Sequence, residues 1–147
     1  MNAMERLLVK DACIELMTAY CTHLDARHED EFVALFTPDA TIARLAEPSY
    51  ESAGHDGIRR VFSARPASIL SYHMMLNHAV TVAGETTASA RALGIVVRGN
   101  RDRDAWPKPI RGLELLVEYL VDFRLEAGGW RIHRCAIRRL LDVEVTQ

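Results

Sequence analysis

Three cysteines in 147 residues, Cys13, Cys21 and Cys135, are too few and too unevenly spaced for a disulfide framework or a zinc centre. The sequence has no CxxC pair, and no HxH or HxxxH spacing joins His23, His28, His78 and His133. No metal site is therefore expected. A reactive thiol needs an activating neighbour, so the three cysteines read as reduced, small core residues of a cytosolic protein. Charge of one sign is also lacking. The net charge of -2 leaves no basic field to draw nucleic acid or an anionic membrane. No apolar run reaches the roughly 18 residues of a membrane span. The opening MNAMERLLVKDACIELM carries acidic residues too early for a secretory signal. Internal repeats and low-complexity tracts are missing too. What is present is 49% hydrophobic and 26% charged residues, the composition of an ordinary globular protein. One cytoplasmic domain over residues 1–147 is expected, long enough to bury a core.

Periodicity places helices first. Residues 4–26 are expected to form an amphipathic helix with Leu7, Ile14, Met17, Cys21 and Leu24 on its buried stripe. A short helix follows in EDEFVALF, with Phe32, Leu35 and Phe36 as its apolar side, and Pro38 ends it by restricting Thr37. GHDGIRRVF is a third helical segment, with Asp56 as N-cap and Ile58, Val61 and Phe62 facing inward. From Ser68 the period changes to two, giving strands at about 68–83, 86–98, 110–125 and 130–143. Gly84-Glu85 and Ala127-Gly128-Gly129 read as hairpin turns, so these strands should be mainly antiparallel. Residues 40–43 suggest a further short strand, and the loop signals concentrate at 38–52 and 99–109. Helices followed by a long meander imply an α+β fold, a curved sheet wrapped around the helices. A sheet closed on one side by helices can enclose an apolar pocket for a small molecule.

One strand poses a chemical problem. In LSYHMMLNHAVTV, alternation puts His73, Met75, Asn77 and Ala79 on one face, and Tyr72, Met74, Leu76, His78 and Val80 on the other. The first face is either solvated or lines a pocket that needs polar groups. A matching problem sits at the end of the first helix. At about 100° per residue, Asp25 falls at the angle of Leu7 and within about 20° of Ile14. Either the helix frays and Asp25 is solvated, or the carboxylate is buried against a partner. A buried aspartate that orients an inward His73 would fix its tautomer and make it a general base. Tyr20, at the edge of the stripe, would then offer a phenolic O–H to a substrate oxygen.

YCTHLDARHEDEFVALFTPDA, SAGHDGIRRVF, SYHMMLN and EYLVDFRLEAGGWRIHR, in that order, resemble the SnoaL-like branch of the nuclear transport factor 2 superfamily over almost the whole chain. The resemblance implies a cone-shaped, mixed but mainly antiparallel sheet around N-terminal helices. Scytalone dehydratase, a bile-acid dehydratase and hexachlorocyclohexane dehydrochlorinase of that superfamily share a histidine–aspartate dyad, which Asp25 and His73 match. Tyr20 matches the tyrosine of the bile-acid enzyme. Such enzymes work by proton abstraction and loss of a leaving group, without metal or cofactor. There are departures as well. A second histidine of scytalone dehydratase would fall near residues 90–92, where this chain has none, and its pocket asparagine aligns with Tyr119. The catalytic aspartate of ketosteroid isomerase would fall at Arg44.

The expected function is a cofactor-independent lyase on a small, apolar cyclic or polyketide-like compound, with dehydration favoured over isomerisation or cyclisation. Asp25, His73 and Tyr20 are the expected catalytic residues. Met75, Asn77, Tyr119 and Arg44 are the expected substrate contacts; Asn77, Tyr119 and Arg44 also admit structural or solvated readings. A non-catalytic reading, as a dioxygenase small subunit or ligand-binding module, uses the same fold. Outward Tyr72, Met74, Leu76, Val80 and Val82 predict a homo-dimer or homo-trimer built on the outer sheet face. RIHRCAIRR has basic residues on both faces, as an exposed edge or subunit contact would, and Trp106 is expected to cover the pocket or anchor its loop.

Overall fold

The computed structural model describes residues 1–45 and 49–142. Helix α1, Ala3–Ala26, starts at a capping box in which Asn2 Oδ1 accepts from the Glu5 amide at 2.9 Å and Glu5 accepts from the Asn2 amide. It ends at Arg27, which takes the left-handed conformation at φ 62°. Its buried face is Val9, Cys13, Met17, Tyr20, Cys21 and Leu24. This corrects the expected stripe, because Leu7 is 59% exposed and Ile14 is exposed as well. Apolar residues recur around more than one side of this helix, so local periodicity left its orientation open until the sheet selected a side.

Helix α2, Glu29–Ala34, buries Phe32 and Val33. Phe36 no longer belongs to it but opens strand β1, Phe36–Arg44, a nine-residue strand where a four-residue one was expected. Strand β2, Tyr50–Ala53, pairs with β1. Between them, residues 46–48 of the expected loop lie outside the described residues. Helix α3, Gly54–Ser63, buries Ile58 and Phe62, with Val61 packed against the core. Its N-cap is Ala53 rather than Asp56, which sits inside the first turn.

Strands β3 (Ile69–Val82), β4 (Thr87–Asn100), β5 (Ile110–Glu126) and β6 (Gly129–Asp142) form the long meander. The order across the sheet is β2-β1-β6-β5-β4-β3. All neighbours are antiparallel except β1 and β6, which run parallel. The fold is thus α+β with a mixed, mainly antiparallel sheet. Position 143, expected to end β6, lies outside the described residues. On the inner face Ala88, Ala90 and Ala92 of β4, Val117, Val121 and Phe123 of β5, and Ile132 and Cys135 of β6 pack against Met17, Phe32 and Phe36. Burying each large apolar side chain of this kind stabilises by about 1.5–3 kcal/mol.

Two local features shape the pocket wall. At Gly94 a side chain would overlap the Tyr119 ring and Val117, so glycine lets that ring lie across β4. In β3, Leu76 pairs with Leu93 and Ala79 with Arg91, so one extra residue is accommodated between them, and Asn77 takes φ 54°. This β-bulge reverses the alternation beyond it. His78, Val80 and Val82 therefore turn to the side of His73 and Met75, with both valines packed on the core. Asn77 and Ala79 are exposed instead, which corrects the expected inward face and removes Val80 and Val82 from the outer one.

Candidate active site

The helices and the inner sheet face enclose a cavity of about 530 Å³, within the range of small-molecule sites. Tyr20, Phe32 and Tyr119 form one end, and Ile42, Val96, Val117 and Ile137 continue the apolar wall. His73 reaches the same space from β3. Arg44, Arg60, Arg65, Arg98 and Arg139 also line it, among further apolar residues such as Leu24, Val61 and Leu115.

Asp25 lies in the last full turn of α1, which packs along β3, so its carboxylate meets the strand. Oδ1 is 2.5 Å from His73 Nδ1, and Oδ2 accepts the His73 backbone N–H at 2.6 Å. The Ser71 hydroxyl donates to Oδ1 at 3.0 Å. Three hydrogen bonds thus compensate a carboxylate whose side chain is 12% exposed, beside an imidazole that is 9% exposed. An ionised carboxylate only accepts, so its contact is with an Nδ1 that carries a proton.

Arg65 extends this network. Its Nη2 donates to Ser71 Oγ at 2.6 Å and its Nη1 to the Leu24 carbonyl at 3.1 Å. Arg27 in turn donates to the carbonyls of Arg65 and Pro66, which clamps the segment after α3 to the end of α1. Burial pushes the Arg65 pKa below its ordinary value, with nearby Tyr20 and Asp25 opposing the shift. Ser71 and Arg65 were missed in the sequence. Ser71 shares the parity of His73 two residues on, a usable signal; Arg65 follows a helix end and carries none.

Tyr20 is buried, its ring 4.9 Å from Phe32 and 5.9 Å from Tyr119. Burial raises the pKa of both phenols well above the ordinary value, with Cys135 adding to the effect at Tyr20 and Cys21 at Tyr119. Both phenols remain protonated donors at neutral pH. Cys135, raised to about 12 by burial, sits against the Tyr20 hydroxyl. All three cysteines are free and buried.

Of the expected substrate contacts, Tyr119 and Arg44 line the cavity, Arg44 with its guanidinium 5.3 Å over the Tyr50 ring. Met75 does not line it: it faces a groove between α1 and β3, together with Cys21 and Asp25. Asn77 is carried away by the bulge and is exposed. Trp106 is 81% exposed, with Lys108 5.4 Å over its ring, and is neither among the described residues lining the cavity nor buried in the core. Among the described residues, no group of three or more His, Cys, Asp or Glu side chains is placed to hold a metal ion. No helix among them is long and apolar enough to cross a membrane.

A family model described as a SnoaL-like domain matches residues 5–136. No curated protein matches the chain. Among solved structures, it is similar to a candidate scytalone dehydratase from Novosphingobium aromaticivorans, at 22% identity and TM-score 0.79, over 99% of this chain and 94% of that one. A candidate aromatic ring hydroxylase from the same organism is 26% identical with TM-score 0.75, over 93% and 92% of the two chains. A hexachlorocyclohexane dehydrochlorinase from Novosphingobium barchaimii shares the fold at 12% identity and TM-score 0.75, over 97% and 93%.

Proposed function

The chain belongs to the SnoaL-like domain family, and from that premise we propose that it is a cofactor-independent lyase, of dehydratase type, acting on a small cyclic or polyketide-like substrate. The observation that carries this reading is the Asp25–His73 hydrogen bond at the wall of a largely apolar cavity. His73 Nε2 removes a proton from a substrate carbon. The C–H electron pair forms a carbon–carbon double bond, and the hydroxyl on the adjacent carbon leaves, taking up the proton that His73 carries to depart as water and restoring the neutral imidazole. Asp25 holds the ring and balances the imidazolium charge. Tyr20 donates a hydrogen bond to the oxygen on which charge develops.

Arg44 and Tyr119 contact the substrate in this scheme, whereas Met75 and Asn77 have no direct part. The protein acts as one domain in the cytoplasm. It associates with itself through the outer face of β3, where Tyr72, Met74 and Leu76 remain exposed.

Screening hydroxylated ring compounds for turnover provides the assay. His73→Ala should then lose about 10²–10⁴ in rate, the usual worth of a positioned base. Tyr20→Phe should lose less than His73→Ala. A compound bound in the cavity and left unchanged, with His73→Ala binding it equally well, would support a non-catalytic binding role instead.

A further inference from the structure

Arg44, Arg60 and Arg65 bring three guanidinium groups to the wall of the cavity. No aspartate or glutamate is among the described residues that line the cavity. Arg65 spends its described hydrogen bonds on neutral oxygens, the Leu24 carbonyl and the Ser71 hydroxyl. Arg44 rests on the Tyr50 ring. Among the described residues no direct ion pair joins Arg44, Arg60 or Arg65 to a carboxylate, and Asp25, the carboxylate near Arg65, is reached through Ser71. Elsewhere guanidinium groups are paired: Arg59 with Glu29 and Asp30, Arg124 with Asp39 and Glu126, and Arg91 and Arg138 with Glu118.

Position along the strands explains where this charge lies. On β1 the inner face runs from Ile42 to Arg44, so the wall changes from apolar to cationic in one inward step. Arg60 and Arg65 come from α3 and the segment following it. The aromatic end at Tyr20, Phe32 and Tyr119 suits a ring, and arginine is the side chain best matched to a planar anion.

We propose that the physiological ligand is an apolar ring compound bearing a carboxylate, with the ring against Tyr20 and Tyr119 and the carboxylate taken by the cavity arginines Arg44, Arg60 and Arg65. This names the substrate class of the lyase proposed above and rests on that reading for its chemistry. The binding preference can be measured without turnover.

Naphthoate and naphthol, matched in ring and differing in the acid group, are titrated into the wild-type protein by calorimetry at neutral pH. Naphthoate should bind about tenfold tighter or more, the scale of one hydrogen bond to a charged group. Its advantage should shrink with added salt while naphthol binding holds. Arg44→Gln combined with Arg60→Gln, both at exposed positions, should remove the advantage and leave naphthol affinity within about twofold, the change expected when only a charged contact is lost. Should that variant not fold, the wild-type preference and its salt response decide alone. Naphthoate binding no tighter than naphthol overturns the proposal and leaves the proton-transfer reading standing. Inorganic phosphate displacing naphthoate at equal concentration would show a bare anion site and overturn it too. Unchanged turnover in His73→Ala would remove the lyase reading without touching the binding preference.

Discussion

Asp25 Oδ1 and His73 Nδ1 lie 2.5 Å apart although 48 positions separate them in the chain. The helix end brings the carboxylate to the edge of β3, and that strand answers with a backbone N–H, an imidazole and, through Ser71, a hydroxyl. The carboxylate is held from three directions, so the ring it orients has little freedom to rotate. That rigidity is what a positioned base requires.

Asp25→Asn keeps the shape and removes the charge. The amide can present the wrong partner to Nδ1 and no longer balances an imidazolium. In a triad where the same exchange preserves geometry the cost is about 10⁴ in rate, which sets the scale. The expected variant is folded, melts near wild type and has almost no turnover. Single-turnover rates and a melt on one preparation check this, and wild-type turnover would make Asp25 a structural residue.

Ser71→Ala tests the network behind the dyad. It deletes a donor to Asp25 and strips Arg65 of one acceptor. A hydrogen bond to a charged group is worth about 1.5–3 kcal/mol. Turnover should therefore fall by roughly ten- to a hundredfold, less than in Asp25→Asn, with a lowered melting temperature. Ser71→Thr, which keeps the hydroxyl, should recover most of the rate. Failure of threonine to do better than alanine would show that packing alone matters here.

The cysteines make an alkaline prediction. Burial raises Cys13 from 9.0 to about 11, and Cys21 and Cys135 to about 12. The unfolded chain ionises first, so the folded state holds more protons in between. Their stabilising contribution is complete below pH 9.0 and is lost as pH rises towards about 11–12. Buried Tyr20 and Tyr119 act with the same sign. Denaturant melts on the alkaline side should show stability falling with pH, and falling less steeply in Cys21→Ala than in wild type. Equal slopes would mean that Cys21 does not contribute.

Self-association is tested on the outer face of β3. Tyr72, Met74 and Leu76 are exposed there, while on β5 Glu118, only 1% exposed, is held between Arg91 and Arg138. Light scattering at micromolar concentration should give a dimer or trimer, and Tyr72→Asp with Leu76→Asp should give a monomer that still melts cooperatively. A monomeric wild type would remove the interface.

Most of the element order was legible in the sequence, because the signals involved are local; strand β2, Tyr50–Ala53, lay inside the expected loop and was not. A period of two from Ser68 onward, broken at Gly84-Glu85 and at Ala127-Gly128-Gly129, placed β3 to β6 within a few residues of where they lie. It also set His73 and Met75 on the face opposite Tyr72, Met74 and Leu76, since parity holds from Ile69 to Leu76, while leaving open which face turns inward. Beyond Leu76 the alternation depends on long-range pairing. The bulge at Asn77 is one residue long and shifts every later side chain of β3 to the opposite face, and the composition of the strand does not mark it. The buried side of α1 was equally undetermined, because apolar residues lie on more than one side and contact with β3 and the core selects Val9, Cys13 and Met17 over Leu7 and Ile14. Asp25 therefore reached His73 from the edge of the buried face rather than from the stripe that periodicity suggested. The parallel pairing of β1 with β6 and the link from Arg65 through Ser71 to Asp25 join segments far apart in the chain. Such contacts are set by how the sheet closes over the helices, a property no window of the sequence contains.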